Sequence, residues 1–238
     1  MNERNPHPRS AASPSQNNTL WRPSPLPLTA ALPYTPHLPG PVGPVLAQPP
    51  YQRYREMTID ELLLENRVIF LVGEINHVTA TGIIMRLLHL QSQKKDIDIN
   101  LYINTPGGTV DDTFAIYDTM RFINCDVATY CIGKAMSGGA LCLAGGAKGK
   151  RYILPHAKVM IHQPYGGVYG QTADVEIQAE EILRSKQLLN EVLASHVGKD
   201  ADQVEKDSER DRFFTAQEAK EYGLVDEVLE QVSQTSQA

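Results

Sequence analysis

The chain has 238 residues, 42% hydrophobic and 21% charged, with a formal net charge of −6. That suits one globular domain with extensions and argues against nucleic acid as the main partner. No apolar run approaches the roughly 18 residues needed to span a bilayer. Three cysteines (Cys125, Cys131 and Cys142) lie in or beside apolar segments, without C-x-x-C spacing. They read as buried, reduced thiols of a cytosolic-type compartment, and no metal site is expected among them.

The chain opens on a segment unlike the rest. Residues 1–50 hold 13 of the 16 prolines, one acidic residue (Glu3) and three arginines. Such a stretch buries too little apolar surface to offset its chain entropy and reads as a disordered tail. Its proline content fits a flexible bacterial tail better than an amphipathic transit peptide, which remains the alternative. The expected location is therefore the bacterial cytoplasm, with a plastid or mitochondrial matrix as the alternative. The ordered domain is expected over residues 51–238.

Thr58-Ile-Asp-Glu61 is a capping box ahead of Leu62-Leu-Leu64 and predicts a short helix. Arg67 to Gly73 is β-rich and predicts a buried strand. Ile83, Ile84, Leu87, Leu88 and Leu90 recur at helical spacing within 79–93. Ile97 to Ile103 alternates apolar and polar residues and ends in Asn104-Thr-Pro-Gly-Gly108. A helix (110–122), a strand (127–132), a glycine-rich turn and a buried helix after Ser137 follow. Short strands are expected near 151–154 and 158–161. Residues 173–196 form a long amphipathic helix of about 35 Å at 1.5 Å per residue. Part of it should project and bury its apolar stripe on a partner subunit, with ordinary core packing as the alternative. A smaller helix pair closes the chain. The alternation implies crossover β-α units and a mostly parallel sheet.

Chemistry centres on Gly133-Lys-Ala-Met-Ser-Gly-Gly-Ala140. A serine at a strand-to-helix turn can be an exposed nucleophile or simply an N-cap. A serine nucleophile needs a base, and the base needs an orienting group. His162 closes the strand Lys158-Val-Met-Ile-His162 and precedes Gln163-Pro-Tyr-Gly-Gly167. Taken alone, a histidine there is more often a satisfied core or surface residue than a base. Pro106-Gly107-Gly108 offers unobstructed backbone N–H groups for an oxyanion, as would any strand-to-helix turn. Gly138 supplies a second N–H. A G-x-S-x-G elbow is absent because Ala135 stands two places before Ser137. With 28 acidic residues, composition does not choose the acid.

Six spaced motifs, taken in register, resemble the proteolytic subunit of the Clp protease, the ClpP family of serine peptidases. They are Asn104-Thr-Pro-Gly-Gly108, Ala115-Ile-Tyr-Asp-Thr-Met120, Gly133 to Ala140, Met160-Ile-His-Gln-Pro164, Glu205 to Phe213, and Glu218 to Asp226. The resemblance covers about residues 55–230. It implies a ClpP/crotonase-like β-α-β superhelix, an α/β fold with a projecting handle over about 165–197.

The resemblance further implies Ser137 as nucleophile, His162 as base and Asp211 as the orienting acid. Gly108 and Gly138 match the oxyanion donors. Gly107, Thr109, Tyr165, Gly166 and Gly167 fall at substrate-binding positions. Glu209, Arg210 and Gln171 match inter-ring contacts, and Tyr102 matches the docking groove of an unfoldase. Assembly is expected as two stacked heptameric rings, with or without a second ClpP copy. The implied partner is an AAA+ unfoldase of the ClpX, ClpA or ClpC kind, which feeds in unfolded proteins; neither nucleic acid nor membrane is expected as a partner. No cofactor is expected, the ATP being used by the unfoldase.

The chain departs from the family at Gly138, where methionine is usual, at Lys134 and Met136, and at Asp111-Asp112. A flexible Gly138 turn is therefore expected. Alternative readings are a weakly active or structural ring subunit, a crotonase-type acyl-CoA enzyme, and a Ser/Lys peptidase using Lys134.

Overall fold

The computed structural model describes residues 57–167 and 169–230. The proline-rich segment and the expected domain start at Tyr51 lie outside them. Helix α1 (Ile59–Glu65) begins where the capping box placed it. Thr58 Oγ1 accepts from the Glu61 N–H, and the Glu61 carboxylate accepts from the Thr58 N–H at 2.8 Å.

Strand β1 (Val68–Val72) buries only alternate residues, correcting the expected buried strand. Ile69 and Leu71 face the core, while Phe70 and Val72 face outward. The following elements are α2 (His77–Gln93), β2 (Ile99–Thr105), α3 (Val110–Phe122) and β3 (Val127–Met136). Next come α4 (Gly138–Ala144), β4 (Arg151–Ile153), β5 (Lys158–Ile161) and α5 (Thr172–Val197). The chain closes with α6 (Ala201–Asp207), β6 (Arg212–Phe214), α7 (Ala216–Tyr222) and β7 (Glu227–Val228). The two terminal strands were not anticipated. At three and two residues they are too short for a periodic signal.

The sheet runs β1-β2-β3-β4-β7, all parallel. Strand β3 is long enough to pair twice. Its first half pairs with β4 through Thr129–Arg151, and its second half with β5 through Lys134–Lys158. The residues expected as a turn at Gly133 are thus strand. The sheet forks at β3, and β5 carries the antiparallel β6. That fork brings the end of β3 beside the end of β5, and so Ser137 near His162.

In-register parallel pairing also stacks Phe70, Tyr102, Tyr130 and Tyr152 across four strands. Their ring centroids lie 5.3, 4.6 and 4.9 Å apart. Phe70 and Tyr102 keep part of their surface open.

Helix α5 has 26 residues and reaches about 39 Å. Only Asn190, Leu193 and Ala194 are buried, whereas Ile177 and Leu183 are exposed. The projecting half carries apolar residues that its own domain does not cover.

All three cysteines are free and buried. Burial pushes the Cys131 thiol up to about 11 and the Cys142 thiol up to about 12. The thiolate is the reactive form. Both thiols are therefore expected to resist a disulfide reagent at pH 8 in the native protein and to react fully in guanidinium. Fast native labelling of either would contradict this packing.

Candidate active site

Thr105, the last residue of β2, organises the loop that follows it. Its buried hydroxyl donates to Gly73 O and accepts from the Gly107 N–H at 3.0 Å. Ile75 then clamps the loop from outside. Its N–H donates to Gly107 O at 2.8 Å, and its carbonyl accepts from the Thr109 N–H at 3.0 Å. Gly108 sits so close to Ile75 that a Cβ there would stand 1.8 Å from the Ile75 carbonyl oxygen. Only glycine fits, and the Gly108 N–H donates to no protein acceptor among the described residues.

Ser137 follows β3 directly. Its N–H extends the ladder to Met160 O at 2.9 Å. Its backbone then takes φ 54°, ψ −122°, one of only two non-glycine residues with positive φ among those described. Its side chain makes no capping hydrogen bond. This disposes of the helix-cap reading, because a capping serine has extended backbone and accepts from the helix's first turn. A strained conformation without a local stabilising bond is characteristic of functional positions. Ser137 is half-buried, not exposed as its turn had suggested.

A cavity of about 390 Å³ opens beside it, lined by Gly107, Gly108, Thr109, Ser137, Gly138, His162 and Tyr165. His162 immediately follows β5, with Nδ1 3.1 Å from Asp211 Oδ1. Its side chain is 14% exposed, against 61% for Asp211. Tyr165 meets the imidazole edge-on at 5.5 Å between centroids. Gln163 ties the Asp211 loop to the end of β5. Its N–H donates to Ser208 O at 2.7 Å and its side chain to Glu209 O at 3.0 Å. Ser137 and His162 line the same cavity without a hydrogen bond between them. Such bonds are often long until substrate is bound.

Of the remaining expected positions, Gly167 lines a neighbouring recess with Thr109 and Tyr165, and Gly166 lines neither. Glu209, Arg210 and Gln171 are exposed and outside the cavity, and Tyr102 is in the aromatic stack. Lys134 does not line the cavity. Its place in β3, paired with Lys158, removes the basis for a Ser/Lys site. Gly138 is not a flexible turn but the buried first residue of α4.

Sequence reading missed several cavity residues: Thr113 from α3, Leu141 from α4, Leu189, Asn190 and Leu193 from α5, and Ser208. The apolar ones carried the same periodicity as core residues, so nothing in the pattern marked them. No cluster of His, Cys, Asp or Glu suited to a metal occurs among the described residues, and no described helix is long and apolar enough to cross a membrane.

A parallel α/β sheet that sets a strained serine and a carboxylate-paired histidine around one cavity, beside open backbone N–H groups, has the make-up of a serine hydrolase. The family model for Clp protease matches residues 51–232. The chain is 58% identical over 179 residues to ATP-dependent Clp protease proteolytic subunit 1 of Rhodopirellula baltica, covering 75% of this chain and 79% of that protein. The chain belongs to the Clp protease family.

Proposed function

We propose that this chain is the peptide-hydrolysing subunit of an ATP-dependent Clp protease, with Ser137 as nucleophile. The observation that carries the reading is the strained, uncapped Ser137 in one cavity with the Asp211-paired His162. Ser137 Oγ attacks the scissile carbonyl while His162 Nε2 takes its proton. Asp211 holds the imidazole by Nδ1 and stabilises the imidazolium. The Gly108 and Gly138 N–H groups receive the developing oxyanion. His162 then gives the proton to the leaving amine, leaving an acyl-serine. Water, deprotonated by His162, releases the carboxylate and restores Ser137.

Gly107, Thr109 and the Tyr165-Gly166-Gly167 segment flank the cleft and would pair with an extended substrate. Backbone pairing of that kind gives broad specificity, and the leucines in the cavity favour apolar side chains. The exposed apolar half of α5 suits burial against other copies in a two-ring assembly. Gln171, Glu209 and Arg210 stand exposed and available to that interface. The stack of Phe70 and Tyr102 offers an apolar surface on which an unfoldase loop could dock. In this reading ATP is consumed by the unfoldase, and the chain acts in the bacterial cytoplasm.

A fluorophosphonate probe should label the wild-type chain once per subunit and leave Ser137→Ala unlabelled. Equal labelling of the two proteins, read by intact mass, would overturn the assignment.

A further inference from the structure

Gly138 has no room for a side chain because Thr113 already fills the place. A Cβ on Gly138 would stand 2.2 Å from Thr113 Oγ1, 2.9 Å from its Cγ2 and 3.0 Å from its Cβ. Thr113 has little freedom to yield. It is 1% exposed, and its hydroxyl donates to Thr109 O at 2.8 Å. Its own N–H donates to the same carbonyl at 3.1 Å.

Helix α4 has little room to retreat either. Gly139 is pressed against Thr105, where a Cβ would meet Cγ2 at 2.4 Å. On the cleft side Gly107 abuts the 137–138 peptide. A Cβ on Gly107 would meet Ser137 Cβ at 2.7 Å and Gly138 N at 3.2 Å. The peptide that carries the Gly138 N–H is therefore gripped between α3 and the Pro106-Gly107-Gly108 loop. The bulk that fixes it comes from α3, not from residue 138.

We propose that Thr113 is a positioning residue for the Gly138 N–H, and that the two residues form a matched pair. The inference rests on the peptidase reading above and deepens it. A side chain at 138 displaces the first turn of α4 and turns the donor away from the oxyanion. Removing the Thr113 side chain leaves the peptide free to tilt. Either change acts mainly in the transition state, because the hydrogen bond strengthens as the carbonyl oxygen gains charge.

The test is a double-mutant cycle on the full chain, with Gly138→Ala, Thr113→Gly and the combination. It measures kcat and KM on a fluorogenic peptide and the affinity for a peptide boronate, a tetrahedral analogue. Gly138→Ala is expected to lower kcat about 100-fold, with KM changed less than about threefold. The double variant should recover about tenfold of that loss, since glycine at 113 removes all three close contacts. Boronate affinity should follow kcat/KM across the four proteins, which a merely structural role would not produce.

Thr113→Val keeps the volume and loses the bond to Thr109. It should lower kcat about tenfold at constant KM, and it carries the test if Gly138→Ala does not fold. A normal kcat in Gly138→Ala, a double variant no better than it, a loss confined to KM, or a normal kcat in Thr113→Val would each overturn the proposal. A wild-type chain that cleaves no peptide and takes no fluorophosphonate overturns the peptidase reading and this inference together. A cleaving wild type with a flat cycle overturns the inference alone.

Discussion

Replacing His162 by alanine is expected to lower kcat for peptide cleavage about 10⁴-fold or more, and Ser137→Ala by a similar factor. The double replacement should cost scarcely more than either alone. The two side chains perform one proton transfer, so removing one leaves the other nothing to act on. Their effects therefore do not add. What survives is the contribution of the backbone donors and of substrate binding, which needs neither side chain.

Asp211→Asn should be milder, at about 10²- to 10⁴-fold. It leaves the imidazole in its cavity but withdraws the carboxylate 3.1 Å from Nδ1. Substrate binding is set by the cleft walls, so KM should move little in all four proteins. Additive losses in the Ser137/His162 pair, measured as kcat in the four-way comparison, would show that the two do not act as a unit.

The second large effect is on stability. Arg151 is 6% exposed and lies at the start of β4. Its guanidinium donates from Nη2 to Asp226 Oδ1 at 2.6 Å and from Nε to Oδ2 at 2.9 Å. Its remaining nitrogen reaches the carbonyls of Gly223, His196 and Ala144. Asp226 also accepts from the N–H groups of Gly149 and Arg151. One ion pair thus ties β4 to the ends of α4, α5 and α7 and to the approach to β7.

Removing Arg151 leaves a partly buried carboxylate without its counter-charge. Arg151→Met is expected to cost about 3–5 kcal/mol and to lower Tm by about 10 °C. Asp226→Asn keeps the shape but leaves the buried Arg151 guanidinium without its counter-charge, so it should cost a comparable amount. Burial alone would raise the Asp226 carboxyl, but the Arg151 pairing and the backbone donors outweigh it and hold it below the usual range. A depressed carboxyl contributes stability that is complete above its unfolded value. That contribution fades as the pH falls below the ordinary carboxylate range. The wild type should therefore lose stability on acidification below about pH 4 more steeply than Asp226→Asn. Parallel acid-denaturation curves for the two proteins would contradict this account of the pair.

Much of this fold was legible in the sequence alone. The capping box at Thr58, the alternation before Asn104 and the period of 173–196 each depend on neighbours along the chain. Helix α3 accordingly begins and ends at the expected residues. The serine, the histidine and the Gly107-Gly108 loop stood out as candidates only through the family resemblance, since residue type and spacing also fitted a helix cap, a packed histidine and a plain turn. The two-residue strand β7 was not legible, because it owes its existence to pairing with Tyr152 and Ile153.

The forking of β3 was equally hidden. It depends on two strands arriving at different halves of a third, and that fork is what sets Ser137 near His162. The glycine at 138 shows the difference most plainly. By itself the sequence determined most of the element types, since propensity is local, and its resemblance to a family pointed to candidate reacting groups. Only the tertiary structure decided that Gly138 is held rigid, because the atoms that crowd it belong to Thr113, 25 residues earlier and on another helix.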